Sequence, residues 1–228
     1  MSQSPWTIIS LGGSIIVPEE IDVRFLKKFK KLIGSYRSRR FVIICGGGGT
    51  NRRYNSAAKK LGKPTDFDLD WIGIRSLTLN AELVRTMFGS SAYGKVVLRP
   101  EDLTRTPKEK IIIGAAFQEG SSSDWDAVLW ANKLGAKSII NLSNIEHVYT
   151  GDPRKDKKAK PITEMRWAEY LKIIGTTWSP RLSTPFDPTA AKLAKQSGLR
   201  VSILDGRKLA NVKRAVEGKL FTGSILRA

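Results

Sequence analysis

Cysteine and histidine occur once each in the 228 residues, as Cys45 and His147. A single cysteine excludes an internal disulfide framework, and one residue of each type leaves no Cys/His metal cluster. Long apolar runs are missing as well. No stretch approaches the roughly 20 residues of a membrane span, and the amino end lacks a charged region followed by an unbroken apolar one. The expectation is a soluble, cytoplasmic protein with a buried thiol and no membrane association. Acidic residues are scarce, 21 against 39 Lys and Arg, which gives a net charge of +18 and a pI near 10.2. Such an excess favours polyanionic company. It is spread over residues 24–40, 52–63, 154–160 and 192–219 rather than gathered in a tail, so a nucleic-acid partner is allowed but not favoured. A basic field also steers nucleotide di- and triphosphates.

Two common phosphate-binding patterns are absent too: the Walker G-x-x-x-x-G-K-[ST], and G-x-G-x-x-G with its following acidic residue. In their place stand two glycine clusters, each directly after a strand-like apolar run. Leu11-Gly12-Gly13-Ser14 follows residues 6–10, and the four glycines 46–49 follow residues 41–45. Without a Cβ, glycine lets main-chain N–H groups converge on an anion at the carboxyl end of a strand. A phosphorylated ligand is the first expectation, and ordinary strand-to-helix turns are the plain alternative.

The chain is long enough for one large domain, and 41% hydrophobic residues is ordinary for a globular protein. Apolar runs at 6–11, 41–45, 96–98, 111–113, 138–142 and 201–204 read as buried strands. Amphipathic patterns at 23–33, 77–87, 126–134, 189–196 and 211–216 read as helices. Strands alternating with helices predict an α/β fold, a three-layer αβα sandwich around a mostly parallel sheet. Ligands bind such sheets at the carboxyl ends of the strands, where both glycine clusters fall. The least regular stretches, 119–125, 149–161 and 176–188, are long and polar enough to be functional loops.

Six ordered segments carry a resemblance: S-L-G-G-S at 10–14, G-G-G-G-T-N-R-R-Y at 46–54, D-W-I-G-I at 70–74 with Asn80 beyond, G-S-S-S-D at 120–124, S-N-I-E-H-V-Y-T-G-D-P at 143–153 and F-D-P-T-A-A-K at 186–192. The series resembles the amino acid kinase superfamily, and within it the uridylate kinases of the archaeal type. The resemblance implies one kinase domain over residues 1–228, ATP carrying Mg²⁺ as phosphoryl donor, UMP as acceptor and a homo-oligomer, a hexamer.

It also implies roles. Ser10, Leu11, Gly12, Gly13, Ser14, Gly48, Arg52, Ser143, Asn144, Tyr149 and Asp152 fall where the family binds ATP. Gly47, Asp70, Phe117, Gln118, Glu119, Gly120, Ser121, Ser122 and Ser123 fall where it binds UMP. Arg52, Asp124 and Asp187 take catalytic positions, and no residue is assigned as a metal ligand. Plainer readings stand beside these. Arg52 is also a solvated helix residue; Asp70 also caps a helix starting near Trp71; Ser123 or Asp124 also caps the next; Phe186-Asp187-Pro188 is also a helix start; Tyr149 is also a core residue. Two departures stand out: Ser10 replaces a lysine that many members carry, and Glu146-His147 replaces Asp-Gly. They keep open a sibling kinase with another acceptor, such as isopentenyl phosphate, and a catalytically weakened nucleotide-binding regulator.

Overall fold

The computed structural model describes residues 6–103, 106–120, 122–177 and 184–228. A seven-stranded sheet runs through it. Strands β1 (Trp6–Leu11), β2 (Arg40–Cys45), β3 (Ile111–Gly114), β4 (Ser138–Ser143) and β8 (Arg200–Asp205) are buried along almost their whole length. Fully covered strands read as unbroken apolar runs, which is why the sequence exposes them. They pair in parallel in the order β3-β2-β1-β4-β8. Strand β9 (Ser224–Arg227) then adds antiparallel to β8, and β7 (Glu164–Arg166) closes the edge parallel to β9. A two-stranded ribbon, β5 (Val148–Tyr149) with β6 (Pro161–Ile162), stands apart.

One face carries α5 (Ser123–Leu134), α6 (Trp167–Ile174) and α7 (Pro188–Gln196), packed round Trp130, Trp167, Tyr170 and Phe186. The other carries α1 (Gly13–Ile16), α2 (Val23–Gly34), α4 (Asp66–Phe88) and α8 (Leu209–Val216), packed round Phe29, Phe41, Val84 and Val212. Helix α3 (Gly48–Leu61) lies on α1 and α4. The three-layer α/β sandwich expected from the alternation is therefore present, with Cys45 fully buried inside it. Burial pushes the Cys45 thiol far above its ordinary range.

Several details differ from expectation. Residues 96–98 form no strand; Val97 alone bridges to Gly114. Helix α4 starts at Asp66, where Thr65 and Asp68 form a reciprocal capping box, so Asp70 is an interior helix residue and caps nothing. The start of α5 is capped by Ser122, whose Oγ accepts from Asp124 N and Trp125 N, and neither Ser123 nor Asp124 does this work. No helix is long and apolar enough to cross a membrane among the described residues.

Candidate active site

Strand β1 leads to β2 on one side and has β4 on the other, so the crevice at their carboxyl ends is a topological switch point. Both glycine turns open there. They touch so closely that a Cβ on Gly13 would lie 2.1 Å from Gly48 N, and one on Gly48, at φ +55°, would lie 2.0 Å from Gly13 O. Only glycine fits either position. Gly12 N donates to Leu142 O (2.9 Å), which locks the first turn to β4. The Gly12 amide is thereby engaged within the protein. The amides of Gly13, Ser14, Gly47 and Gly48 have no acceptor among the described residues. Asn80, buried on α4, holds the second turn: its Nδ2 donates to Gly46 O (2.8 Å) and Gly47 O (2.9 Å), and its Oδ1 accepts from Thr50 Oγ1 (3.2 Å).

Beside the turns, Asp124 is the node of a hydrogen-bond network. Its Oδ1 accepts from Ser10 Oγ at 2.9 Å and from Asn141 Nδ2 at 2.9 Å, and its Oδ2 accepts from Asp187 N at 3.3 Å. Thus the ends of β1, β4, α5 and α7 meet on one carboxylate. The residue is half-buried, with its carboxyl group packed round by protein. Desolvation, followed by the Asp187 charge, pushes its pKa up to about 7 against the pull of its donors. Asp187 caps α7 through Thr189 N (2.8 Å) and Ala190 N (2.9 Å), so its helix-start reading holds. Its other oxygen accepts from Ser122 Oγ. Burial raises its pKa as well. Tyr170 fixes this segment: its hydroxyl donates to Phe186 O (2.6 Å) and accepts from Phe186 N (2.7 Å).

On the far side, Asp70 Oδ2 accepts from Gly120 N at 2.7 Å, tying the 117–120 segment to α4. Phe117 lies under Arg99, whose guanidinium carbon is 5.2 Å from the ring centre, while Glu119 is exposed. Ser121 lies outside the described residues.

The remaining expected donor residues are dispersed. Ser143 and Asn144 leave β4 at the switch point, and Arg207 reaches across to Asn144 O (3.3 Å). Tyr149 is half-buried on β5, edge-on to His147 with ring centres 6.4 Å apart. Asp152 is held by Arg154 (Nε 3.0 Å), which keeps its carboxyl below the usual range. Arg52 is exposed on α3 and donates to Pro18 O. Neither Arg52 nor Asp152 joins the Asp124 network. Asn80, Asn141 and Tyr170 were not expected as positioning residues. Asn80 stood just beyond the 70–74 segment, and Asn141 gave a signal as the one amide in the apolar run of β4.

The carboxylate oxygens of Asp124 and Asp187 are already taken by inward donors, and no cluster of three or more potential metal ligands exists among the described residues.

The model of the amino acid kinase family matches residues 5–205. The chain belongs to the amino acid kinase family. Among its relatives, this kinase-family chain is 34% identical over 226 residues to a uridylate kinase of Methanospirillum hungatei, covering 97% of this chain and 94% of that one. A uridylate kinase of Methanoculleus marisnigri is 31% identical over 228 residues, with 96% and 94% covered. The crystal structure of uridylate kinase from Archaeoglobus fulgidus superposes with a TM-score of 0.80 at 26% identity, covering 96% of this family member and 99% of that chain. A UMP kinase of Ureaplasma parvum, at 16% identity and a TM-score of 0.76, shares the fold.

Proposed function

We propose that this kinase-family chain transfers the γ-phosphoryl group of ATP to UMP, giving ADP and UDP. The observation that carries the reading is the meeting of two glycine turns with unengaged amides beside the Asp124 network, at one switch point of the sheet. A UMP phosphate oxygen bonds to the γ-phosphorus as the bond to the ADP oxygen breaks, and charge spreads over the moving group. Such chemistry asks mainly for alignment and neutralisation.

In this reading the amides of Gly13, Ser14, Gly47 and Gly48 hold the transferring phosphates. Asp124 fixes Ser10 and Asn141, while Asp187 aligns the start of α7. Arg52 swings from Pro18 O onto the phosphates and supplies charge that Ser10 lacks. Ser143, Asn144, Tyr149 and Asp152 receive the adenosine of ATP. Asp70 and the 117–123 segment receive UMP. Magnesium would come with ATP and would supply positive charge against its phosphates; Asp124 and Asp187, whose oxygens accept protein donors, would act on it only through the ordering of β1, β4 and α7 around them. We assign residues 1–228 to one kinase domain that acts in the cytoplasm as a homo-oligomer, a hexamer. The apolar outer face of α3 and α4 supports self-association, with Tyr54 and Leu79 64% and 60% exposed.

An ADP-release assay across UMP, CMP, AMP and isopentenyl phosphate tests the assignment. Turnover restricted to UMP is the expected result. Turnover with another acceptor reassigns the substrate, and nucleotide binding without any turnover leaves a regulator.

A further inference from the structure

The sequence scatters its basic residues, and the fold gathers one group of them. Helix α2 contains five cations, Arg24, Lys27, Lys28, Lys30 and Lys31, and no carboxylate. Its apolar residues Phe25, Leu26, Phe29 and Ile33 are buried, so at about 100° per residue the cations fill the opposite arc, roughly 160° wide. All five are exposed, and none of their side chains has a hydrogen-bond or ion-pair partner among the described residues. Arg24 and Lys28 stand four residues apart, as do Lys27 and Lys31, a spacing at which like charges repel and weaken a helix. The helix carries this charge against its own stability.

The basic surface continues past the helix end. There the last turn of α2 meets residues 36–41 and 108–111 around a hollow of about 330 Å³, lined by Arg37, Arg39, Lys108 and Lys110. Arg37 and Lys108 are exposed, and their side chains also have no partner among the described residues. Arg39 lies over the Tyr36 ring, its guanidinium carbon 6.0 Å from the centre, and Lys110 donates to Arg37 O. Two carboxylates reach this end: Glu109 lines the hollow, and Glu217 of α8, paired with Lys219 at 2.7 Å, approaches Arg39. Cations still prevail. The hollow lies where β2 and β3 begin, at the pole of the sheet opposite the catalytic crevice, and no residue assigned to ATP or UMP belongs to it or to α2.

The composition of this face narrows the partner. Among the exposed residues of α2 only Val23 has a large apolar side chain, so the arc has little to insert into a lipid surface. No amide, hydroxyl or carboxylate side chain on α2 can bond to a base edge or accept from a ribose hydroxyl. Tyr36 is half-buried beneath Arg39, which leaves no open ring on which unpaired bases could stack. What remains is charge on a rigid rod. From Arg24 to Lys31 the helix rises about 10 Å, a length over which duplex DNA carries about six phosphates.

We propose that the α2 face and the hollow beyond it bind the phosphate backbone of duplex DNA without reading its sequence. The five cations of α2 displace counterions condensed along the backbone, and Arg37 and Lys108 lengthen the contact. The net charge of +18 draws the duplex in from a distance, and the unpaired arc decides where it lands. No part of this rests on the kinase reading.

Fluorescence anisotropy of a labelled DNA duplex of about 20 base pairs, titrated with the full chain between about 50 and 200 mM salt, tests the site. The expected result is an affinity that falls with salt at a log–log slope of about −4 to −5, alike for unrelated duplex sequences. The variant Lys27→Gln/Lys28→Gln/Lys30→Gln/Lys31→Gln, whose replacements keep helix propensity, flattens that slope by about 3 to 4 and weakens binding roughly tenfold or more without lowering Tm. A control, Lys155→Gln/Lys157→Gln/Lys158→Gln/Lys160→Gln, removes the same charge from the 149–161 loop and weakens binding less than about threefold. Equal losses in the two variants, no loss in the α2 variant, or no binding at the lowest salt overturns the site. Tighter binding to an RNA duplex, to a single strand of the same length or to phosphatidylglycerol vesicles overturns the DNA assignment.

Discussion

Asp126 is fully enclosed on α5, and neither of its carboxyl oxygens has a hydrogen-bond partner. Burial, then the charges of Asp187 and Asp124, push its pKa well above the ordinary carboxylate value, so it is held as the neutral acid. The folded state therefore grips this proton more tightly than the unfolded chain does. Stability from this site is greatest below the unfolded carboxylate pKa and falls as pH rises from there toward the folded value. Replacing Asp126 with Val, which removes the orphaned oxygens, should stabilise the protein at neutral pH by about 1–3 kcal/mol. The gain over wild type should shrink toward pH 4, as followed by thermal denaturation across pH. A constant gain at every pH would show that titration of Asp126 contributes nothing.

Asp124 differs because it has donors. With its pKa at about 7, the carboxylate that Ser10 and Asn141 point toward is lost to protonation as pH falls through neutrality. The pH profile of kcat/KM should decline below about pH 7 in wild type. The variant Asp124→Asn should lower kcat on the order of a hundredfold and flatten that limb. A variant profile that keeps the same limb assigns the ionisation elsewhere. Single residues like these were only partly legible beforehand. Asp124 and Asp187 stood in recognisable segments, whereas the inward pull of Asn141 and the Tyr170 clasp on Phe186 depend on elements distant in the chain.

At the scale of elements, the glycine turns show how tightly local sequence and tertiary contact are joined. Gly48 combines a positive φ with a neighbouring carbonyl that would clash with any Cβ. Gly48→Ala should destabilise the protein on the order of 3 kcal/mol or more, measured by chemical denaturation, whereas Gly62→Ala, with nothing near its Cβ, should change little. The central strands were readable because burial on both faces leaves apolar runs. Strands β5, β6, β7 and β9 were not, being two to four residues long and defined by partners rather than by pattern. Helices α3 and α6 also escaped. In α3 only Gly49 and Asn55 are buried, so it has no apolar stripe to read.

For the whole molecule, four of the eight exposed large apolar residues among the described residues fall on one pair of packed helices, the others being Ile21, Val23, Ile173 and Leu220. Tyr54, Leu61, Phe67 and Leu79 are 64%, 88%, 58% and 60% exposed, and all four belong to α3 and α4. On a protein of net charge +18, association has to overcome repulsion, so it should strengthen with salt. Sedimentation velocity should show an oligomer that the double change Phe67→Glu/Leu79→Glu converts to smaller species without unfolding. A wild-type monomer at every salt concentration would remove the self-association reading. The fold class was legible at this scale from strand and helix alternation alone, while the surface left for partners was not, because exposure is a property of the folded surface.

Helix α4 has a consequence that reaches beyond its packing. It grips the 117–120 segment at Asp70 and the second glycine turn at Asn80, ten residues further on, about 15 Å at the usual helical rise. It serves as a ruler between the two halves of the catalytic crevice. One residue inserted between those grips would rotate one of them by roughly 100° and disconnect the halves, even with every side chain in the crevice left intact.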